Sequence, residues 1–247
     1  MNEGMLLNRI LDIGEKMLIS GAEISRVEDT VTRLCRAYDM TDIHVFTITS
    51  SMVVTVTAAD GEIISQTRRI LKYSTNFSRL EMLNSLSRYL CDKKPDIICI
   101  DEKLKQIQES PMYSEKTYYF AYMLISAAFS IFFGGNIQDA VAAGLIGLLL
   151  RLILNWNRRM DMNFIVGNLI CSLAGGIGAV ILVKLGLGQS VDKIIIGNIM
   201  LLIPGIALTN AIRDMINGDI MSGVLRLSEA VLVSIALAVG FSLAMFL

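Results

Sequence analysis

The stretch "LLIPGIALTNAIRDMINGDIMSGVLRLSEA", residues 201–230, opens as a membrane-grade helix and closes as a string of charges. Pro204 and Gly205 interrupt its apolar part, and Asn210, Arg213, Asp214, Asp219, Arg226 and Glu229 follow. Proline inside a helix removes one backbone hydrogen bond and leaves a carbonyl free a turn earlier, and the adjacent glycine weakens the helix again. In lipid, such loose backbone persists only where it faces protein or a watery cavity. The segment therefore reads either as a discontinuous span beside ionisable groups or as a span followed by a solvated loop. Both readings require a chain divided between membrane and water.

Composition makes the same division. The chain has 247 residues, 53% of them hydrophobic and 18% charged, and its mean hydropathy is +0.57, too apolar for an ordinary soluble domain. Residues 1–116 hold 15 of the 22 Lys+Arg and 17 of the 23 Asp+Glu. The expectation is an α+β cytosolic N-terminal domain over 1–112, followed by an all-α membrane domain over 113–247. A net charge of −1 and the lack of a basic patch exclude nucleic acid as a partner. The N-terminus has no uninterrupted apolar run of the length of a signal-peptide core, so the first membrane helix is expected to direct insertion.

A helix rising about 1.5 Å per residue needs roughly 20 apolar residues to cross the hydrocarbon core. Residues 117–138 carry no charge, nor do 162–183, and 194–212 form a third uncharged run. With a less clear span between Asp139 and Arg151, and a last one interrupted only by Glu229, five transmembrane helices are expected, near 117–135, 137–156, 163–183, 194–212 and 227–247. Arg151, Arg158, Arg159, Arg213 and Arg226 fall toward the second-to-third and fourth-to-fifth connections, against Lys184 and Lys193 in the third-to-fourth. The positive-inside bias then puts the N-terminal domain in the cytoplasm and the C-terminus outside.

Within the first part, Ile24, Val27, Val31, Leu34 and Tyr38 recur at helical spacing, as do Leu7, Ile10, Leu11, Met17 and Leu18 before them. The run from His44 to Ile70 changes to alternating β-branched residues with Asp60-Gly61 as a turn, which predicts two or three antiparallel strands. Helical spacing returns around 76–90 and 100–108, punctuated by Pro95 and Pro111.

Catalytic and cofactor motifs are missing. There is no P-loop, no HExxH, no GxSxG, and no cluster of Cys and His to hold a metal. No cofactor is expected. Cys35, Cys91, Cys99 and Cys171 form no CxxC pair and read as buried thiols, and the single His44 reads as packing or surface. The glycines of "AGGIGAV" (174–180) follow no strand and read as a close helix contact. Two carboxylates remain: Asp139 and Glu229 lie within or beside apolar spans, where a charge is costly unless it pairs or meets water. Asn198 adds a neutral polar group at membrane depth.

The segment Pro204, Gly205, Asn210, Arg213, Asp214, Gly218, Asp219, Ser222, Gly223, Arg226 and Glu229 resembles the membrane part of the bacterial threonine/serine exporter family. "SGAEISRVEDTVTRLCRAYDM", with Gly21, Glu23, Arg26, Val27 and Glu28, is similar to the family's N-terminal signature, and "FFGGNIQDA", with Gly134, Gly135 and Asp139, is also similar. The resemblance runs in order over nearly the whole chain. It implies the larger subunit of the split, two-chain form, acting in the bacterial inner membrane with a separate small integral-membrane subunit. The implied cargo is threonine and serine, or a dicarboxylate such as succinate. A homo-oligomer is a further possibility.

On that reading the substrate and ion path draws on Asp139, Asn198, Pro204, Gly205, Asn210, Arg213, Asp214, Asp219, Arg226 and Glu229. Glu229 or Asp139 would meet an ammonium, and Arg213, Arg226 or freed backbone N–H groups a carboxylate. A rival reading makes the N-terminal domain a membrane-tethered, hydrolase-like enzyme, with Glu23, Arg26, Glu28 and Asp29 as its polar material; no nucleophile–base pair supports it. A third makes that domain a gate or docking platform.

Overall fold

In the computed structural model, residues 3–71, 74–110, 113–160 and 162–246 are described. Pro111, Asp161 and the expected domain boundary at 112 lie outside them. The element order is α1 (Glu3–Ile19), α2 (Ile24–Ala37), β1 (Thr41–Ile48), β2 (Ser51–Thr57), β3 (Ile63–Arg69), α3 (Phe77–Lys93), α4 (Ile97–Glu109), α5 (Glu115–Phe132), α6 (Ile137–Arg159), α7 (Phe164–Lys184), α8 (Val191–Leu202), α9 (Gly205–Ile216) and α10 (Ile220–Met245). They fall into two compact units: Met1–Pro111 with Ala207–Leu227, and Met112–Ile206 with Ser228–Leu247.

In the first unit the strands form an antiparallel meander in the order β1-β2-β3. Val54 pairs with Val45 on one side and Gln66 on the other. The central strand alternates strictly: Met52, Val54 and Val56 are buried while their neighbours are half-buried. Because successive side chains point to opposite faces, that alternation commits one face of β2 to the core. The core gathers Leu6, Ile10, Met17, Val27, Leu34 and Leu83 with them. Full burial of such side chains stabilises by about 1.5–3 kcal/mol each relative to exposure. The β2–β3 turn places Gly61 at φ +88°, where a side chain would be strained. Asn76 and Asp96 cap α3 and α4 by accepting the amides of Arg79 and Cys99.

The second unit is helical, and its helices approach closely at glycines. A Cβ on Gly147 would stand 2.7 Å from the Tyr122 carbonyl oxygen of α5, and one on Gly197 would stand 2.6 Å from that of Ser126. Gly175 and Gly176 of α7 face Phe241, and Gly176 also faces Ala244, so this glycine stretch serves helix packing. Ser114 and Asn163 cap α5 and α7, and Asn136 and Asp139 form a capping box at the start of α6.

Three described helices, α6, α7 and α10, are long and apolar enough to cross a membrane, and α8 with α9 makes a fourth if the pair is one span. That pair bends by 51° at Ile203–Pro204, between the end of α8 and the start of α9. Helix α5 has 18 residues. Its first turn holds Glu115 and Lys116, and three tyrosines follow, so it is less apolar than its uncharged run suggested.

Candidate functional site

Two of the sequence segments singled out above meet in the first unit. Residues 21–25, the end of the α1–α2 turn and the first residues of α2, are gripped by the α9–α10 hairpin. The Asn210 amide donates to the Gly21 carbonyl at 3.0 Å. Arg226 Nη2 donates to the Ala22 carbonyl at 3.0 Å, and Arg213 Nη1 to Glu23 Oε1 at 2.6 Å. Asn217 Nδ2 donates to Ser25 Oγ at 3.0 Å. Asp214 Oδ1 accepts the Ile24 amide at 3.1 Å, while its Oδ2 lies 3.2 Å from Arg226 Nε.

The need for this grip is local. The first amides of a helix have no partner within it. Helix α2 begins after Glu23, whose side chain makes no capping bond because it is turned to Arg213. Asp214 therefore acts as the missing cap from 190 residues away, placing a carboxylate at the positive end of the helix. Asp214 is fully buried and Arg226 is 9% exposed, so the pair sits in low dielectric, where each ion depends on the other. Glycines let the hairpin close on this turn. Gly218 reverses the chain at φ +97°. A Cβ on Gly223 would stand 2.7 Å from the Ala211 carbonyl oxygen, so only glycine lets α10 approach α9 there.

Beside the clasp lies a groove of about 890 Å³ whose lining includes Glu28, Asp29, Arg36, His44, Phe46 and Asp219. Glu28 accepts the Thr47 amide at 2.7 Å. Burial raises its carboxyl above the ordinary range; the Thr47 amide pulls it down and the nearby Asp219 charge pushes it up. Burial raises Asp219 as well. Arg26 is exposed. Among the described residues no group of three or more His, Cys, Asp or Glu is placed to hold a metal ion.

The remaining predicted residues lie in the second unit and are not brought together. Asp139 is 1% exposed; Oδ1 accepts the Gln189 and Ser190 amides at 2.6 and 2.9 Å, and Oδ2 accepts that of Asn136 at 3.2 Å. It thus braces the start of α8 as Asp214 braces the start of α2. Asn198, fully buried, accepts from Ser126 Oγ at 3.0 Å and donates to the Ile194 carbonyl at 2.9 Å. Pro204 is half-buried, and Gly205 and Glu229 are exposed. Arg151, expected toward a connection, sits inside α6 at 2% exposure. The signal was present in its apolar flanks, Leu148–Leu150 and Leu152–Leu154.

Residues 8–247 match the family described as "Putative threonine/serine exporter". The chain belongs to this family, a family of membrane transporters, and is not an enzyme. It is 27% identical over 236 residues to a "Probable succinate transporter subunit YjjP" of Klebsiella aerogenes, covering 93% of this chain and 88% of that protein. It is 23% identical to a "Probable threonine/serine exporter" of Mycobacterium tuberculosis, covering 95% of this chain and 45% of that one. It is 21% identical to a "Threonine/serine exporter" of Corynebacterium glutamicum, covering 96% and 50%. The chain thus spans about half the length of the two exporters. No solved structure matches it.

Proposed function

We propose that this chain is one subunit of a secondary exporter of small polar metabolites, threonine and serine first, working in the bacterial inner membrane with a separate small membrane subunit. Family membership over residues 8–247 is the observation that carries the export reading. Support for a subunit comes from coverage: 88% of the relative named as a subunit, against 45% and 50% of the two exporters. The same near-complete match favours a dicarboxylate such as succinate as the second reading of the cargo.

In this proposal residues 1–112 form a cytosolic domain and 113–247 a five-span membrane domain with its C-terminus outside. In the manner of discontinuous transporter helices, the α8–α9 break at Ile203–Pro204 meets cargo or a coupling ion, with Gly205, Asn198 and Asp139 on the same path. Glu229 is the residue proposed to carry the coupling proton. The clasp formed by Asn210, Arg213, Asp214 and Arg226, with Asp219 beside it, transmits movement of the broken span to Gly21, Glu23 and the α2 face bearing Arg26 and Glu28. This joins the gate reading of the N-terminal domain to export.

The test is efflux of labelled threonine, serine and succinate from cells expressing this chain with and without a candidate small membrane partner. Export of one labelled compound only when both chains are present is expected. No efflux of any of the three, with insertion of both chains verified, would overturn the proposal.

A further inference from the structure

Arg151 lies on α6 among leucines, and its guanidinium carbon stands 4.5 Å from the centre of the Tyr118 ring and 5.6 Å from that of Tyr122, both on α5. Ring faces stabilise a cation without using its N–H donors. Those donors are poorly employed. Nη2 is 3.0 Å from Glu115 Oε2 and 3.3 Å from Oε1, while Nε is buried and has no hydrogen-bond acceptor among the described residues. A guanidinium holds a carboxylate best along one edge, two parallel N–H groups meeting two oxygens. Here both carboxylate oxygens crowd one nitrogen, and the Nε–Nη2 edge is half used.

The occupant is itself loosely held. The arginine side chain is 2% exposed, whereas that of Glu115 is 64% exposed and belongs to the first turn of α5. Its carboxyl is kept below the usual range by the Asn155 amide and by Arg151, so it stays an anion at neutral pH. Asn155 Nδ2 donates to Glu115 Oε2 at 3.1 Å and to Tyr119 Oη at 3.2 Å. A buried cation, two aromatic faces, an amide donor and an exposed internal carboxylate on one side together have the make-up of an anion site filled by a side chain.

We propose that Arg151 and Asn155 form a binding site for the carboxylate of a small molecule, with Glu115 as the internal occupant that the ligand displaces. The ligand's carboxylate takes the Nε–Nη2 edge and the Asn155 amide, and Glu115 swings outward. Taking that carboxylate to be the cargo's rests on the exporter reading; binding itself does not. Amino acids and dicarboxylates both carry the group, so the site recognises the class and leaves the choice between them to other contacts.

The test is equilibrium binding of labelled threonine and labelled succinate to the purified full-length chain in phosphatidylcholine nanodiscs, with the fluorescence of Trp156, the single tryptophan, as a second readout. Glu115→Gln removes the competing charge and is expected to tighten binding of at least one probe about fivefold, and Arg151→Lys to weaken it about tenfold by losing the fork. Glu115→Gln changes an exposed side chain, so it remains informative if Arg151→Lys fails to fold. The proposal is overturned if neither probe binds wild type or Glu115→Gln, or if both variants bind as wild type does. It is also overturned if Glu115→Gln instead retains added phosphatidylglycerol, which would assign the cation to a lipid phosphate. Efflux in cells with binding indifferent to both variants removes this site and leaves the exporter reading standing; binding that responds without efflux does the reverse.

Discussion

Asp214 does two jobs with two oxygens: one accepts the first amide of α2, the other faces Arg226. Arg226→Met removes the cation and leaves the carboxylate buried. Such a break costs about 3–5 kcal/mol, because the remaining charge is uncompensated. Asp214→Asn keeps an acceptor for Ile24 but leaves the buried Arg226 without its counter-ion, so a cost of the same order, about 3–5 kcal/mol, is expected. The double variant should be less destabilised than the sum of the two. Thermal unfolding of the purified chain measures all three, and strictly additive effects would show that the pair is not coupled.

At the scale of elements, the packing of α5 on α6 depends on Gly147, whose missing Cβ leaves room for the Tyr122 carbonyl. Gly147→Val forces backbone against side chain, and overpacking of this kind costs about 1–3 kcal/mol; a lower melting temperature in detergent is expected. The sheet offers a pH test through Glu28. Burial raises its carboxyl above 4.5. A carboxyl raised on folding contributes stability that is complete below its unfolded value and is lost as pH rises through the folded one. Glu28→Gln removes the titration while its amide oxygen still accepts from Thr47. Wild type should therefore lose stability relative to Glu28→Gln as pH climbs from 4.5, measured by hydrogen exchange of the β1 amides; parallel pH profiles would refute this. The bend between α8 and α9 yields a third expectation: Pro204→Ala restores a helix donor and should lower efflux severalfold without lowering the amount of inserted protein.

Across the whole molecule, the chain leaves its second unit after Ile206 and returns to it after Leu227. A segment between apolar helices is thereby built into the N-terminal unit. In the proposed orientation that segment is cytoplasmic, so a cysteine placed at Asn217, which is exposed, should react with an impermeant maleimide only after the cells are opened. Labelling of intact cells would reverse the orientation.

The membrane character, the helix break and the mixed N-terminal part were legible in residues close along the chain, because hydropathy, proline chemistry and alternation act over a few positions. The family was legible too, in motifs spread over nearly the whole length. The span count was less so: α5 looked like a span from its uncharged run, and its tyrosines and charged first turn reduce it. What the sequence could not tell was which distant groups complete one another. Asn210, Arg213, Asp214 and Arg226 stood out as charges and polar groups beside a span, but their partners are backbone atoms of residues 21–24 and Glu23. Arg151 read as a charge near the end of the second span, toward the connection, until α5 was laid against it. Local chemistry fixes which residues need a partner; only tertiary folding, which brings together positions 190 residues apart, decides which partner each receives.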